Sequence, residues 1–214
     1  MEITLKNNTF KLCEQKALFW KEENLLLISD LHIGKIAHFR KAGIALPQKA
    51  IDNNFIRLDI LMQSNNVKKI LFIGDLFHSD INQEWDLFCK WRSNYSTIKM
   101  QIVLGNHDRL PGSFCNDFNI SITQKELDIF PFIFSHHPRK VFKTADEYIF
   151  SGHVHPVIQL RGKANQRIKL PCFYFGQQQA ILPSFGYFTG GYAMDVLEKD
   201  RVIAIANEKL IVIK

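Results

Sequence analysis

NLLLI, residues 24–28, runs directly into SDLH, residues 29–32. Leu25 through Ile28 are apolar without alternation, and the chain then turns abruptly polar. A strand with one wet face alternates apolar and polar side chains, whereas a strand covered on both faces does not. The same figure recurs along the chain. KILFI (69–73) runs into Gly74-Asp75, Ile102–Leu104 into GNHD (105–108), Phe132–Phe134 into SHHP (135–138), and Tyr148–Phe150 into SGHVH (151–155).

Between the first two runs, Ile51, Phe55, Leu58, Leu61 and Met62 recur at helical spacing, which predicts a helix over 47–65 with Pro47 in its first turn. Trp85, Phe88 and Cys89 predict a second over 82–92. Strands alternating with helices imply βαβ units and a largely parallel sheet. From Val157 the pattern changes to VIQLR, IKLPCFYF, YAMDVL, VIAIA and LIVIK, separated by turns such as Gly190-Gly191 and Glu198-Lys199-Asp200. That predicts a second, mostly antiparallel sheet packed on the first. With no linker, repeat or low-complexity tract, the α/β chain reads as one domain over 1–214.

The bulk properties set limits. Hydrophobic residues make up 46% of the 214 and charged residues 22%, too apolar for disorder. No apolar run reaches the roughly 20 residues of a membrane span. The opening MEITLKNNTFKL lacks the basic-then-apolar pattern of a secretory signal, which points to a cytoplasmic protein without a membrane partner. Cys13, Cys89, Cys115 and Cys172 form no CxxC pair and read as free thiols. The net charge of +6 suits a polyanionic partner.

In open α/β sheets, active sites form beyond the carboxyl ends of the strands. There this chain puts Asp30 and His32, Asp75, Asn106 and His107, His136, and His153 and His155. All eight histidines fall in or near these motifs. Asp-Leu-His and His-Val-His space their polar residues two apart, so a strand-like segment presents both on one face. Carboxylate, imidazole and amide oxygen without thiolate suit divalent Mn, Fe or Zn. Two such ions about 3.5–4 Å apart clamp an in-line phosphoryl displacement. His137 stands beside His136, and either serves as ligand. His78 lines the site, touches substrate or is structural; Asp80, Asp86 and Asp117 read as surface or capping residues.

Basic residues follow the motifs: Lys35, Arg40 and Lys41; Arg109; Arg139, Lys140 and Lys143; Arg161, Lys163, Arg167 and Lys169. They predict a positive rim tracking a phosphodiester backbone, with Arg40, Arg109 and His78 as substrate-binding candidates. LPSFGYFTGG (182–191) reads first as a turn packing Phe185, Tyr187 and Phe188, and second as a lip of the site. The 18 phenylalanines read mostly as core, with one or two near the mouth available to stack a base.

In order, DLH (30–32), GD (74–75), GNHD (105–108), His136 and GHVH (152–155) resemble the five motifs of the calcineurin-like metallophosphoesterase superfamily. The resemblance implies a four-layer α/β/β/α sandwich and two divalent ions, manganese first, with iron or zinc as alternatives. It puts Asp30, His32 and His155 on one ion and Asn106, His136 and His153 on the other, with Asp75 bridging, and so prefers His136 to His137. A metal-bridged hydroxide is then the nucleophile. His107, with Asn106 and Asp108 also in the catalytic group, stabilises charge and protonates the leaving oxygen, and Asp108 orients it.

DLHIGKIAHFRKAGIALP (30–47), HHP (136–138) and LPSFGYFTGG (182–191) further resemble the ligase-associated DNA damage response endonuclease (PdeM) family. That implies a phosphodiesterase acting on DNA or RNA, a nuclease linked to DNA repair, with functional association to a DNA ligase and a helicase. The alternatives are a small-molecule phosphoesterase for nucleotides, cyclic nucleotides or a pyrophosphate, and a non-catalytic scaffold of the same fold. The intact GNHD opposes the scaffold.

Overall fold

A computed structural model of the chain describes residues 1–47, 49–78, 82–110, 118–162 and 166–214. Cys115, Asp80, Asp117 and Lys163 lie outside them. The first sheet has seven strands in chain order: β1 (Glu2–Leu5), β2 (Asn8–Cys13), β3 (Ala17–Trp20), β4 (Leu25–Ser29), β5 (Lys69–Ile73), β6 (Lys99–Val103) and β7 (Ile120–Thr123). Between β4 and β6 come α1 (Lys35–Lys41), α2 (Lys49–Ser64) and α3 (Gln83–Asn94).

The second sheet has nine strands: β8 (Glu126–Ile129), β9 (Phe132–Ser135), β10 (Ile149–Ser151), β11 (Pro156–Arg161), β12 (Arg167–Phe175), β13 (Gln179–Ile181), β14 (Tyr192–Ala193), β15 (Arg201–Ala206) and β16 (Lys209–Val212). Most of its pairings are antiparallel, as expected, but β9, β10 and β13 run parallel at its centre.

The two-faced burial read from the apolar runs has a direct cause. Leu25, Leu27, Leu71, Ile73 and Val103 point between the sheets, where they join Phe132, Phe134, Phe150 and Phe173. Leu26, Ile28, Ile70, Phe72 and Ile102 point the other way, onto Leu58 and Leu61 of α2 and Trp85, Phe88 and Trp91 of α3. The outer face of the second sheet, around Cys172, Tyr174, Val202 and Ala204, is covered by side chains such as Met194, Val196 and Ile213. Among the described residues all helices precede β6, and none lies over that outer face.

The first sheet corrects the expectation of a largely parallel one. β4 to β7 are parallel, but β1 to β4 form an antiparallel meander. Its strands are short, and its turns sit on Lys6, Asn7 and Lys16 with φ of 45°, 60° and 67°, none of them glycine. The helix α1 was not foreseen either, and YAMDVL supplies only two strand residues. Cys13, Cys89 and Cys172 are free thiols. Among the described residues no helix is long and apolar enough to cross a membrane.

Candidate metal centre

The parallel register aligns the carboxyl ends of the first sheet: Ser29 pairs with Ile73, and Ile73 with Val103. In the second sheet Ser151 pairs with Ser135. The loops beyond these ends meet. The backbone N–H of His153 donates to Asp30 Oδ2 at 3.0 Å, and that of His107 to Asp75 Oδ1 at 2.9 Å.

The strand-like geometry expected for Asp-Leu-His and His-Val-His is not what forms. Asp30, His32, Asp75, His153 and His155 all adopt left-handed backbone, with φ of 52°, 52°, 48°, 65° and 52°. Each such residue costs about 1–2 kcal/mol, and Asp and His tolerate the region better than most. Neighbouring backbone holds it in place. His32 N–H donates to Asp75 O at 2.9 Å, Ile33 N–H to Leu76 O at 2.8 Å, and Asp30 N–H to Gly74 O at 3.2 Å. Left-handed turns, rather than pleat, converge these side chains, and such strain gathers at functional sites.

Their donor atoms gather in two overlapping groups. Asp30 Oδ1 lies 3.3 Å from His155 Nε2, which lies 3.4 Å from His32 Nε2. Asp75 Oδ2 lies 3.5 Å from His136 Nε2, which lies 3.1 Å from His153 Nδ1. Asp30, Asp75 and His136 also come within 4.8 Å of one another, so the groups share members. Asp30 Oδ1 and His32 Nδ1 are buried with no hydrogen-bond partner among the described residues. A buried carboxylate oxygen without a partner, facing imidazole nitrogens, is a place for a cation. The donor set fits divalent metal.

His137 satisfies the same distances with His136 and His153, and its ring centroid is 4.2 Å from that of His153. His136 is buried and His137 exposed. Asn106 is exposed and lines a cleft with His136 and His137.

Metal binding needs neutral imidazoles. Burial, reinforced by Lys35 and the neighbouring histidines, pushes His32 down to about 2. Burial, with Lys35 next, pushes His78 to about 4, and burial also lowers His153 and His137. His155 is the exception: burial lowers it, but the Asp30 carboxylate outweighs that and raises it. Its Nδ1 sits 2.7 Å from the carbonyl of Thr189, which only accepts, so Nδ1 carries the hydrogen and Nε2 faces the site.

Of the substrate-binding candidates, His78 is drawn in. Its ring centroid is 4.5 Å from His107 and 5.1 Å from His32. Arg40, exposed on α1, lines a cleft with Ala37, Glu84, Asp86 and Lys90. Arg109 is exposed one residue beyond Asp108. Among the described residues no hydrogen bond joins Asp108 to the His107 ring. The Asp108 oxygens accept from Phe77 N–H at 2.9 Å and Gly105 N–H at 2.8 Å, so the carboxylate ties the second motif to the third. Burial raises it to about 6 despite those bonds.

Several supports lie beyond the motifs themselves, in part within the 182–191 stretch singled out as a turn or a lip of the site. Ser29 Oγ donates to Asp30 Oδ2, and Ser184 Oγ donates to the Asp30 carbonyl at 2.9 Å. Phe185 N–H and Gly186 N–H donate to the carbonyls of Ser29 and Asp30 at 2.9 and 3.0 Å. Arg57 of α2 donates to Phe185 O and stacks 4.1 Å from that ring. The 182–191 segment is therefore both a packing turn and a clamp on Asp30 and His155. Glu84 accepts from Gly34 N–H and Ala37 N–H at 2.8 and 2.7 Å, which fixes the turn after His32.

Gly152 shows how closely the loops approach. A Cβ there would sit 1.8 Å from Ser29 Oγ and 2.5 Å from Asp30 Oδ2. Gly152→Ala is expected to destabilise the fold by about 1–3 kcal/mol, as overpacking does, and to lower metal content. Thermal melts with metal analysis check this; an unchanged melt with full metal would contradict the packing described.

A calcineurin-like phosphoesterase family profile matches residues 24–145, more than half of the chain. The chain belongs to that family and is a metal-dependent phosphoesterase. The structure is similar to the crystal structure of Pseudomonas putida nuclease MPE, at 25% identity and a TM-score of 0.82, over 100% of this chain and 99% of that one. A conserved uncharacterized protein (predicted phosphoesterase) from Streptococcus pneumoniae aligns over 88% of this chain and 86% of that one at 12% identity, with a TM-score of only 0.32. No curated protein matches the chain by sequence.

Proposed function

We propose that the protein is a phosphodiesterase that cleaves nucleic acid strands with two divalent ions, manganese first among them, and that it serves DNA repair. The observation that carries this reading is the full-length likeness to a nuclease, together with a donor set gathered from the ends of β4, β5, β9 and β10. Asp30, His32 and His155 would hold one ion and Asn106, His136 and His153 the other, with Asp75 available to both. The ions would supply Lewis-acid polarisation of the phosphoryl group and a lowered pKa for a bound water.

The chain's own residues do the rest. His107 is exposed at the mouth with its backbone N–H anchored on Asp75, so its ring is free to meet the leaving oxygen and hand it a proton. His78, packed edge-on against His32 and beside His107, fixes where that ring stands. Asp108 acts through the backbone of the GNHD loop. Lys35, buried at the start of α1, adds positive charge near Asp30 and Asp75.

His107→Ala is expected to leave metal content unchanged and to slow cleavage of a DNA strand by about 10²–10⁴-fold. Wild-type rates in that variant would remove the assigned role. The broader test is metal-stripped protein reloaded with Mn, Fe or Zn and assayed on single- and double-stranded DNA, RNA, nucleotides and bis(p-nitrophenyl) phosphate. Turnover confined to nucleotides would replace the nuclease reading with a small-molecule one. The same reading places the protein in the cytoplasm beside a DNA ligase and a helicase, which co-purification from cells tests.

A further inference from the structure

On the His155 side of the cluster the chain forms a cleft of ≈ 460 Å³, and its lining includes His155, Lys16, Lys169, Phe188 and Thr189. No carboxylate lines it among the described residues. Lys16 is largely withdrawn from water, which lowers its ammonium to about 8, and the next contribution, from Arg57, is also cationic. Its ammonium stands over the face of Tyr187, 5.8 Å from the ring centroid. A half-buried ammonium without an anion is an uncompensated charge.

Phe188 is odd in a second, independent way. It holds a left-handed backbone, φ 58°, which is strained for a bulky residue, and still leaves the residue 47% exposed. Neither feature stabilises the free protein. Phe188 immediately precedes Thr189, whose carbonyl orients His155, so the ring stands at a fixed place beside the metal ligands. Cations plus an exposed aromatic face are what a single strand binds: phosphates meet the ammonium groups and a base stacks on the ring.

We propose that this cleft seats the nucleotide flanking the scissile phosphate of a single-stranded nucleic acid, with its base on Phe188 and its phosphate on Lys16 and Lys169. The inference rests on the phosphodiesterase reading and assigns the strand a path over the His155 edge of the site.

The test compares manganese-loaded wild type, Phe188→Ala, Phe188→Trp and the double variant Lys16→Gln/Lys169→Gln. The substrates are a single-stranded oligonucleotide and bis(p-nitrophenyl) phosphate, and metal content and melting temperature are measured in parallel. Phe188→Ala is expected to lose about tenfold in kcat/KM on the oligonucleotide and nothing on the small diester, while Phe188→Trp keeps both. The lysine pair is expected to flatten the log–log salt dependence of oligonucleotide binding by about 0.7 per cation removed. Equal losses on both substrates, or no loss on the oligonucleotide where wild type cleaves it, would overturn the cleft assignment alone. If wild type hydrolyses the diester and leaves the oligonucleotide intact, the nucleic-acid reading falls as well.

Discussion

Asp30→Asn is expected to lower hydrolysis by at least about 10³-fold, a loss of roughly 4 kcal/mol of barrier stabilisation. The substitution is nearly isosteric, so packing around this fully buried side chain is kept. What changes is charge and hydrogen bonding. Oδ2 accepts from Ser29 Oγ and from His153 N–H, while Oδ1 faces His155 and His136 without a hydrogen bond. An amide must turn its NH₂ either toward the His153 N–H, donor against donor, or into the space where a cation fits. Metal analysis should show fewer ions per chain. In metal-free buffer the variant should lose the stabilisation that Asp30 gives protonated His155, so its melting temperature should fall below wild type at low pH and approach it as pH rises through the raised His155 value. Full metal content with wild-type turnover would refute the role given to Asp30.

Stripping the metal is expected to lower the melting temperature as well as abolish activity. Asp30, His32 and Asp75 follow strands of the first sheet; His136, His153 and His155 follow strands of the second. An ion held between Asp30 and His155 would therefore fasten one sheet to the other. At a free metal concentration 100 times Kd the linkage is worth about 2.7 kcal/mol, or roughly 5–10 °C for a chain of this length. Differential scanning calorimetry with and without chelator measures it. The pH dependence changes sign between the two forms. Without metal, protonated His155 against Asp30 stabilises the fold below its unfolded pKa, and that contribution is lost as pH rises through the raised folded value. With metal, His155 must be neutral, so binding weakens as pH falls through the same range. A melting temperature insensitive to chelator at every pH would contradict the cross-sheet arrangement.

The site's ligand types were legible because each sits directly after an apolar run, where strand ends of a parallel sheet gather. Their backbone was not legible. Nothing in Asp-Leu-His distinguishes a pleated segment from successive left-handed residues, since Asp and His populate both. Glu84, and the individual roles of Ser184 and Thr189 within the 182–191 stretch, were not legible for a related reason. They act through single hydrogen bonds to backbone atoms distant in sequence, and such bonds leave no periodicity. The N-terminal meander escaped because its strands are four to six residues long, with polar residues in left-handed turns where glycine is the usual signal.

The clamp from Ser184 to Thr189 has a consequence for the making of the protein. Ser184 reaches Asp30 across 154 positions of sequence, and Thr189 fixes a histidine already laid down long before. A ribosome that has translated every metal ligand has still not completed the centre, because Asp30 lacks the hydrogen bonds to its carbonyl and His155 is free to turn. A chain ending between His155 and Ser184 would carry the candidate ligands without the hydrogen bonds that align Asp30 and His155.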